Sequence, residues 1–177
     1  MKFYTKIVAV LALLILIPVI VGLFLPKERL VTGKEVIDKM YFFILGDITN
    51  HWEEPQWRHN LDTMIQKPGI DGQDAWMEYY TNGDSLLLVT QKTGEKDYIR
   101  IIIDSDKRER NRNITLIDFQ GKTAIRMSEE EYEPNPIKRF INLLHDKKAD
   151  LINQYLRDLK EKNKPDPNAP ADDGSGM

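Results

Sequence analysis

KTAIRMSEEEYEPNPIKRF, residues 122–140, is the stretch on which the reading of the fold turns. Thr123, Ile125 and Met127 alternate with Ala124, Arg126 and Ser128, the period of two that puts one set on each face of a β-strand. One of those faces is built for an interior. Glu129, Glu130, Glu131 and Glu133 cluster at the strand end and read as an acidic surface leading into Asn135-Pro136, where the period changes. From there Ile137, Phe140, Ile141, Leu144, Leu151, Ile152, Tyr155, Leu156 and Leu159 recur at helical spacing. Pro136 suits a first helical turn, because its missing N–H would have no partner there. The spacing predicts one closing helix to Lys160, about 37 Å long if unbroken, with its apolar stripe on the sheet. Lys138, Arg139, Lys147 and Lys148 fall on its solvated side.

Working upstream, AWMEYY, SLLLVTQK, DYIRIIIDS and RNITLIDF precede that strand, and the runs are bounded by NGD, TGEK, the charged DKRERN and QGK. Turns of this kind between β-rich runs predict an antiparallel meander from Ala75 to Tyr132. Before it, Pro68, Gly69 and Gly72 mark a loop, and Thr49–Trp57 reads as a wide turn or short helix. IDKMYFFILGDI reads as a helix with Asp38 as N-cap and Gly46 as its stop. Arg29–Ile37 reads as a short strand interrupted by Gly33.

The two ends differ from this middle. Ile7 to Leu25 holds nineteen residues without a charge. As a helix it would cover about 28 Å, close to a hydrocarbon core of about 30 Å. The expectation is one transmembrane helix preceding the domain, with Pro18 tolerated inside it. The rival reading, a cleaved signal peptide, fits less well, because the run is longer than the usual ~7–15 residues and no Ala-x-Ala site follows. On this reading residues 1–26 are leader and anchor, 27–161 the folded domain, and 162–177 a polar, disordered tail. The bilayer is the expected partner of Ile7–Leu25, and the protein is expected to be a single-pass membrane protein. The short basic leader, Lys2 and Lys6, tilts the domain to the non-cytoplasmic side.

The 177 residues, 41% apolar and 30% charged, suit one domain. Setting aside Lys2 and Lys6 leaves 23 basic against 28 acidic residues, a formal charge of -5 that argues against nucleic acid as a partner. With no cysteine, disulfides, iron-sulfur clusters, thiolate zinc sites and cysteine nucleophiles are excluded. His51, His59 and His145 have no zinc spacing and read as surface or packing residues, Asp71-Gly72-Gln73-Asp74 is too short for a calcium loop, and DSD at 104–106 reads as a turn. No Gly-rich phosphate loop or nucleophile elbow is present. No catalytic, cofactor-binding or metal-ligating residue is therefore assigned, and no cofactor is expected.

Five residues are candidates for ligand binding. Trp57 and Trp76 could stack on a ligand, although large aromatics are more often core residues with a polar handle at the boundary. Arg58 could meet an acidic ligand group or simply a local carboxylate. Glu78, on the same strand face as Trp76, would become a proton donor if burial raised its pKa, against the plainer reading of a salt bridge. For Tyr98, register decides between cavity and solvent.

The order of three fragments resembles a known family: Trp57-Arg58 after the helical region, Trp76-Met77-Glu78 opening the sheet, and Glu129 with Asn135-Pro136 before the final helix. Gly121-Lys122-Thr123 and Tyr155-Leu156 with Leu159 add to it. Over about Leu30–Lys160 the chain resembles the START-like, or Bet v 1-like (SRPBCC), superfamily, and within it polyketide cyclase/dehydrase-type proteins. It departs from them in carrying DSDKRERNRN where they commonly have a Gly-rich aromatic segment. The resemblance implies an α+β helix-grip fold, an antiparallel β-sheet wrapped around a long C-terminal helix, with an apolar cavity. The leading expectation is non-enzymatic, membrane-tethered binding of a small hydrophobic or amphipathic, lipid-like ligand. The alternatives are an enzyme of cyclase, dehydrase or hydrolase type, and a protein-interaction or structural module.

Overall fold

The computed structural model describes residues 2–103 and 109–165, with the side chains of 2, 3, 5, 6, 8, 9, 11, 12 and 15 left aside. The DSD turn and most of the polar tail lie outside the described residues. The chain runs α1 (Lys2–Phe24), β1 (Glu28–Ile37), α2 (Tyr41–Thr49), α3 (Glu54–Trp57), β2 (Leu61–Ile70), β3 (Gln73–Tyr80), β4 (Ser85–Lys92), β5 (Asp97–Ile103), β6 (Glu109–Phe119), β7 (Lys122–Tyr132), α4 (Pro136–Leu144) and α5 (Lys147–Lys162). Seven antiparallel strands form one sheet in the order β1-β7-β6-β5-β4-β3-β2. The meander is as its turns predict. The sheet wraps the C-terminal helix α5, which is the helix-grip arrangement.

The alternation in β7 is realised, with Thr123, Ile125 and Met127 buried on the inner face. Opposite them in β6 lie Ile114 and Leu116, paired with Met127 and Ile125 respectively. Ile152, Tyr155, Leu156 and Leu159 of α5 close the core over this face, joined by Ile44 and Ile48 of α2. A second buried group, Leu61, Met64, Trp76, Leu88 and Ile102, fills the β2–β5 end.

Gly33 does not interrupt β1. The strand is continuous, and a Cβ at Gly33 would stand 2.6 Å from Ile152 Cγ2 and 2.9 Å from Leu156 Cδ1. The glycine is what lets α5 lie close on the strand. Gly33→Val is expected to cost about 1–3 kcal/mol through overpacking, read as a lower urea midpoint. An unchanged midpoint would mean that this contact is looser than it stands here.

Other expectations are adjusted. α2 starts at Tyr41 after Met40, without a side-chain cap from Asp38, and runs through Gly46. β2 continues through Pro68 to Ile70 with an irregularity after Lys67, and a proline is tolerated there because β2 is an edge strand. The closing helix is two helices. At His145–Asp146 the chain leaves helical geometry, and the Asp146 carboxylate caps α5 by accepting from the backbone N–H groups of Lys148 and Ala149. Only α5 lies on the sheet, so Ile141 and Leu144 of α4 are exposed rather than part of a continuous stripe.

The apolar N-terminal run does form a helix, with Pro18 inside it. Its last turns are taken up by the domain. Arg139 of α4, itself buried, donates Nε–H to the Gly22 carbonyl at 2.8 Å. The Pro136 carbonyl oxygen lies only 1.8 Å from where a Gly22 Cβ would stand. Among the described residues, no helix is long and apolar enough to cross a membrane. The expected transmembrane helix is therefore corrected, and with it the membrane anchoring, the bilayer as partner of Ile7–Leu25, the single-pass localisation and the placement of the domain on the non-cytoplasmic side. At Gly22 the end of the run instead packs on α4 of the domain.

Candidate functional site

Strand alternation carries more than apolar residues inward. Trp76 and Glu78 in β3, Tyr98, Arg100 and Ile102 in β5, Arg112 and Ile114 in β6, and Met127 and Glu129 in β7 share their parities with core residues. Register then aligns the charges, since Arg100 stands opposite Arg112 and Arg112 opposite Glu129. A row of ionic side chains thus crosses the concave face of the sheet.

Glu54, on the single turn of α3, is fully buried and gathers three partners. Arg100 Nη2 donates to Oε1 at 2.7 Å, Arg58 Nη1 donates to Oε2 at 2.8 Å, and His51 Nδ1 lies 2.7 Å from Oε1. Arg100 also donates to the Ile48 carbonyl at 2.6 Å, while His51 Nε2 lies 3.1 Å from the Tyr98 hydroxyl. Arg58 bridges onward, with its Nη1 2.5 Å from Glu78 Oε1 and its Nη2 donating to the Tyr80 hydroxyl at 3.3 Å. The Tyr80 hydroxyl in turn donates to Glu78 Oε2.

The electrostatics follow from this pairing. Burial pushes Glu54 upward, but Arg100, His51 and Arg58 outweigh it and hold the carboxyl well below the ordinary range. Glu78 is likewise held down, because Arg58 overcomes burial. Of the two readings of Glu78, the salt bridge is the one found: the carboxyl is buried, paired with Arg58 and held below its ordinary range rather than raised into a proton donor. Arg58 and Arg100 stay charged, their burial outweighed by these carboxylates. Burial and the neighbouring Glu78 push the Tyr80 hydroxyl up to about 12, so it is a donor at neutral pH.

A second cluster surrounds Glu129, which is fully buried rather than part of an acidic surface. Its Oε1 accepts from Arg110 Nη1 at 2.8 Å and meets Lys148 Nζ at 3.2 Å, while its Oε2 accepts from Arg112 Nε at 3.0 Å and Nη2 at 2.9 Å. Burial raises this carboxyl, and Arg112, Lys148 and Arg110 bring it below its ordinary value. Lys148, expected on a solvated helix face, instead points from α5 into this cluster.

Between the two clusters opens a cavity of about 630 Å³. Its wall is made by Arg58, Asn60 and Tyr80, the β3–β4 turn, Arg110 and Arg112 of β6, Glu129 of β7, and Lys148, Leu151 and Tyr155 of α5. The wall is charged and hydrogen-bonding, with Leu86 and Leu151 as its aliphatic part, so the apolar cavity that the resemblance implies is here a largely polar one. Among the described residues no group of three or more His, Asp or Glu side chains is arranged to hold a metal ion.

Of the five candidate residues, Arg58 lines the cavity. Glu78 lies directly behind it as its ion-pair partner. Trp57 packs edge-on to Tyr155 at 5.3 Å, and Trp76 lies in the second core against Trp52 at 4.8 Å. Tyr98 is buried and meets His51. The structure brings Arg58 and Glu78 together and leaves the two tryptophans as packing. It adds Glu54, Tyr80, Arg100 and Arg112, which residue-by-residue reading passed over, and Glu129, Lys148 and Tyr155, which it placed on an acidic surface, a solvated helix face and the apolar stripe. A signal for several of them was present, since Arg100, Arg112 and Glu129 sit at strand positions whose parity matches buried neighbours.

No family model matches the chain, and no curated protein matches it. Solved structures do match. A START superfamily protein from Mycobacterium smegmatis superposes with a TM-score of 0.58 at 8% identity, covering 76% of this chain and 96% of that one. The fold is that of the START-like structures. The Zhui aromatase/cyclase from Streptomyces sp. R1128 gives 0.60 at 4% identity, covering 77% and 96%. The di-domain ARO/CYC BexL from the BE-7585A biosynthetic pathway gives 0.65 at 7% identity, covering 84% of this chain and 54% of that protein. The START-like, cyclase-type fold expected from the sequence is therefore found, without the membrane-spanning helix expected to precede it. At these identities the likeness is one of fold.

Proposed function

We propose that the cavity is the active site of a cyclase- or dehydrase-type enzyme acting on a small molecule rich in carbonyl groups. The observation that carries this is the wall itself: the guanidinium of Arg112, the ammonium of Lys148 and the hydroxyl-bearing Tyr80 surround one space of about 630 Å³ beside Arg58. Cations fixed around a cavity stabilise the oxyanion that develops when a carbon next to a carbonyl loses its proton. The carboxylates behind them hold the guanidiniums in place, so little reorganisation is needed as charge appears. Tyr80 gives its one proton to Glu78 Oε2 and so steadies the carboxylate that holds Arg58. Ring closure of a folded poly-carbonyl chain, followed by loss of water, needs this positioning and charge stabilisation more than it needs a strong base. The names of the aromatase/cyclase structures that share the fold support the same reading.

The test is the cyclisation of a linear poly-β-keto thioester, followed by the absorbance of the aromatic product. Arg112→Ala is expected to lower kcat/KM about 10²-fold, the scale of losing one oxyanion donor, in protein whose folded state is verified by circular dichroism. Equal rates with and without protein across several chain lengths would sink the enzyme reading.

A further inference from the structure

The link between α3 and β2 runs through Arg58, His59 and Asn60, and the first and last of these line the cavity. His59 turns its ring outward, with the side chain 73% exposed, yet the residue is fastened at two points. Its backbone N–H donates to Asp158 Oδ2 at 3.0 Å, and its Nδ1 lies 2.8 Å from Asp158 Oδ1. Asp158 stands on α5 one turn beyond Tyr155 and is only 2% exposed. A buried carboxylate is costly unless it is paired and hydrogen-bonded. Here Gln154 Nε2 donates to Oδ1 at 2.6 Å, and His59 is the one ion-pair partner of Asp158 among the described residues. On its other side the same link is tied to the β3–β4 turn, because the Asn60 carbonyl accepts from the Thr81 N–H at 3.2 Å. Thr81 also lines the cavity. A short link carrying two wall residues is thus strung between α5 and a third.

We propose that Asp158 and His59 are a positioning pair for the cavity: the buried carboxylate fixes the link on α5 and, through it, the placement of Arg58 and Asn60 in the wall. This rests on the cavity being the reaction site proposed above, and it adds two residues that neither line that space nor belong to the ionic network behind it. A displacement of about 1 Å from productive geometry can cost on the order of 10²-fold in rate, so a contact outside the cavity governs what happens within it. The bonding ranks the variants. Asp158→Ala frees both donors of His59, whereas His59→Ala removes the ring and leaves the backbone bond. Asp158→Asn can keep both contacts at the expense of Gln154, its oxygen accepting from the His59 N–H and its amide donating to Nδ1 of the other imidazole tautomer.

The test compares the full chain with these three variants by NMR and in the cyclisation assay. In Asp158→Ala the Thr81 amide, on the far side of the link, is expected to exchange about tenfold faster relative to Ile125, which reports the stability of the sheet as a whole. The Arg58 Nε–H resonance is expected to move with it. His59→Ala should show the same changes to a smaller degree, and Asp158→Asn should reverse most of them. With the poly-β-keto thioester, Asp158→Ala is expected to lower kcat about tenfold while KM stays within about twofold, and Asp158→Asn to recover most of the loss. Should Asp158→Ala fail to fold, His59→Ala, which removes an exposed ring, carries the same comparison. Unmoved Thr81 and Arg58 signals, a kcat that the variants leave untouched, or an Asp158→Asn no better than Asp158→Ala would each overturn the proposal. Moved signals in a protein that turns over no poly-carbonyl would sink the enzyme reading and leave this one. Turnover with unmoved signals would do the reverse.

Discussion

Glu54→Ala is expected to destabilise the protein by about 3–5 kcal/mol, the scale of breaking a buried ion pair from one side. Glu54 is the shared anion of the interior, and its loss leaves Arg100, fully buried, with only the Ile48 carbonyl among the partners given above. Arg58 retains Glu78 and His51 retains Tyr98, so most of the cost falls on Arg100. The measurement is urea unfolding followed by circular dichroism. A double variant, Glu54→Gln with Arg100→Met, removes both charges and is expected to recover part of the loss, because a buried pair is dearer to break than to replace. A fall below about 1 kcal/mol in Glu54→Ala would show that water reaches Arg100, and the network would not be the closed one described.

Acid is expected to unfold the domain by the same route. Glu54, Glu78 and Glu129 have folded-state pKa values held below the ordinary 4.5 by Arg100, Arg58 and Arg112 respectively, each overcoming burial. A carboxyl whose folded pKa is depressed contributes stability that is fully present above its unfolded pKa and is lost as pH falls through the folded value. The urea midpoint is therefore expected to be level from neutral pH down to about 5 and to fall steeply below about 4. Glu54→Gln starts less stable and is expected to show a shallower acid limb, having one fewer depressed carboxyl to protonate. Parallel acid limbs in the two proteins would mean that Glu54 takes no part in the transition.

How much of this was legible is best seen strand by strand. Thr123, Ile125 and Met127 announced an inner face, and the turns around them announced a meander, because a period of two is a local property of backbone geometry. Glu129 continues the same parity by one step, yet its four-carboxylate neighbourhood reads as surface. It is buried because Arg112 arrives from β6 and Lys148 from α5, partners 17 and 19 residues away in the chain. Glu54 and Arg58 stand at the i, i+4 spacing of a helical ion pair, which hinted at their contact. Nothing in the sequence around them pointed to Arg100, 46 residues on.

The N-terminal run shows the opposite case. The nineteen-residue apolar run is long enough to read as a helix, and a helix, Lys2–Phe24, is there. What that helix packs against is a tertiary matter, decided by the fit of Gly22 to the Pro136 carbonyl and by the Arg139 guanidinium. In the same way, the closing segment was readable as helical, but its break at His145–Asp146 depends on a capping carboxylate that also receives Arg29 from β1.

By itself the sequence determined the meander from β3 to β7, the strand parity and the apolar face of α5, because these follow from spacings of two to four residues. Only the tertiary structure decided that the interior is ionic and that the cavity wall carries Arg112, Lys148 and Tyr155. The pairing of a buried charge is a sum over partners brought from distant strands, and its sign changes with each one supplied.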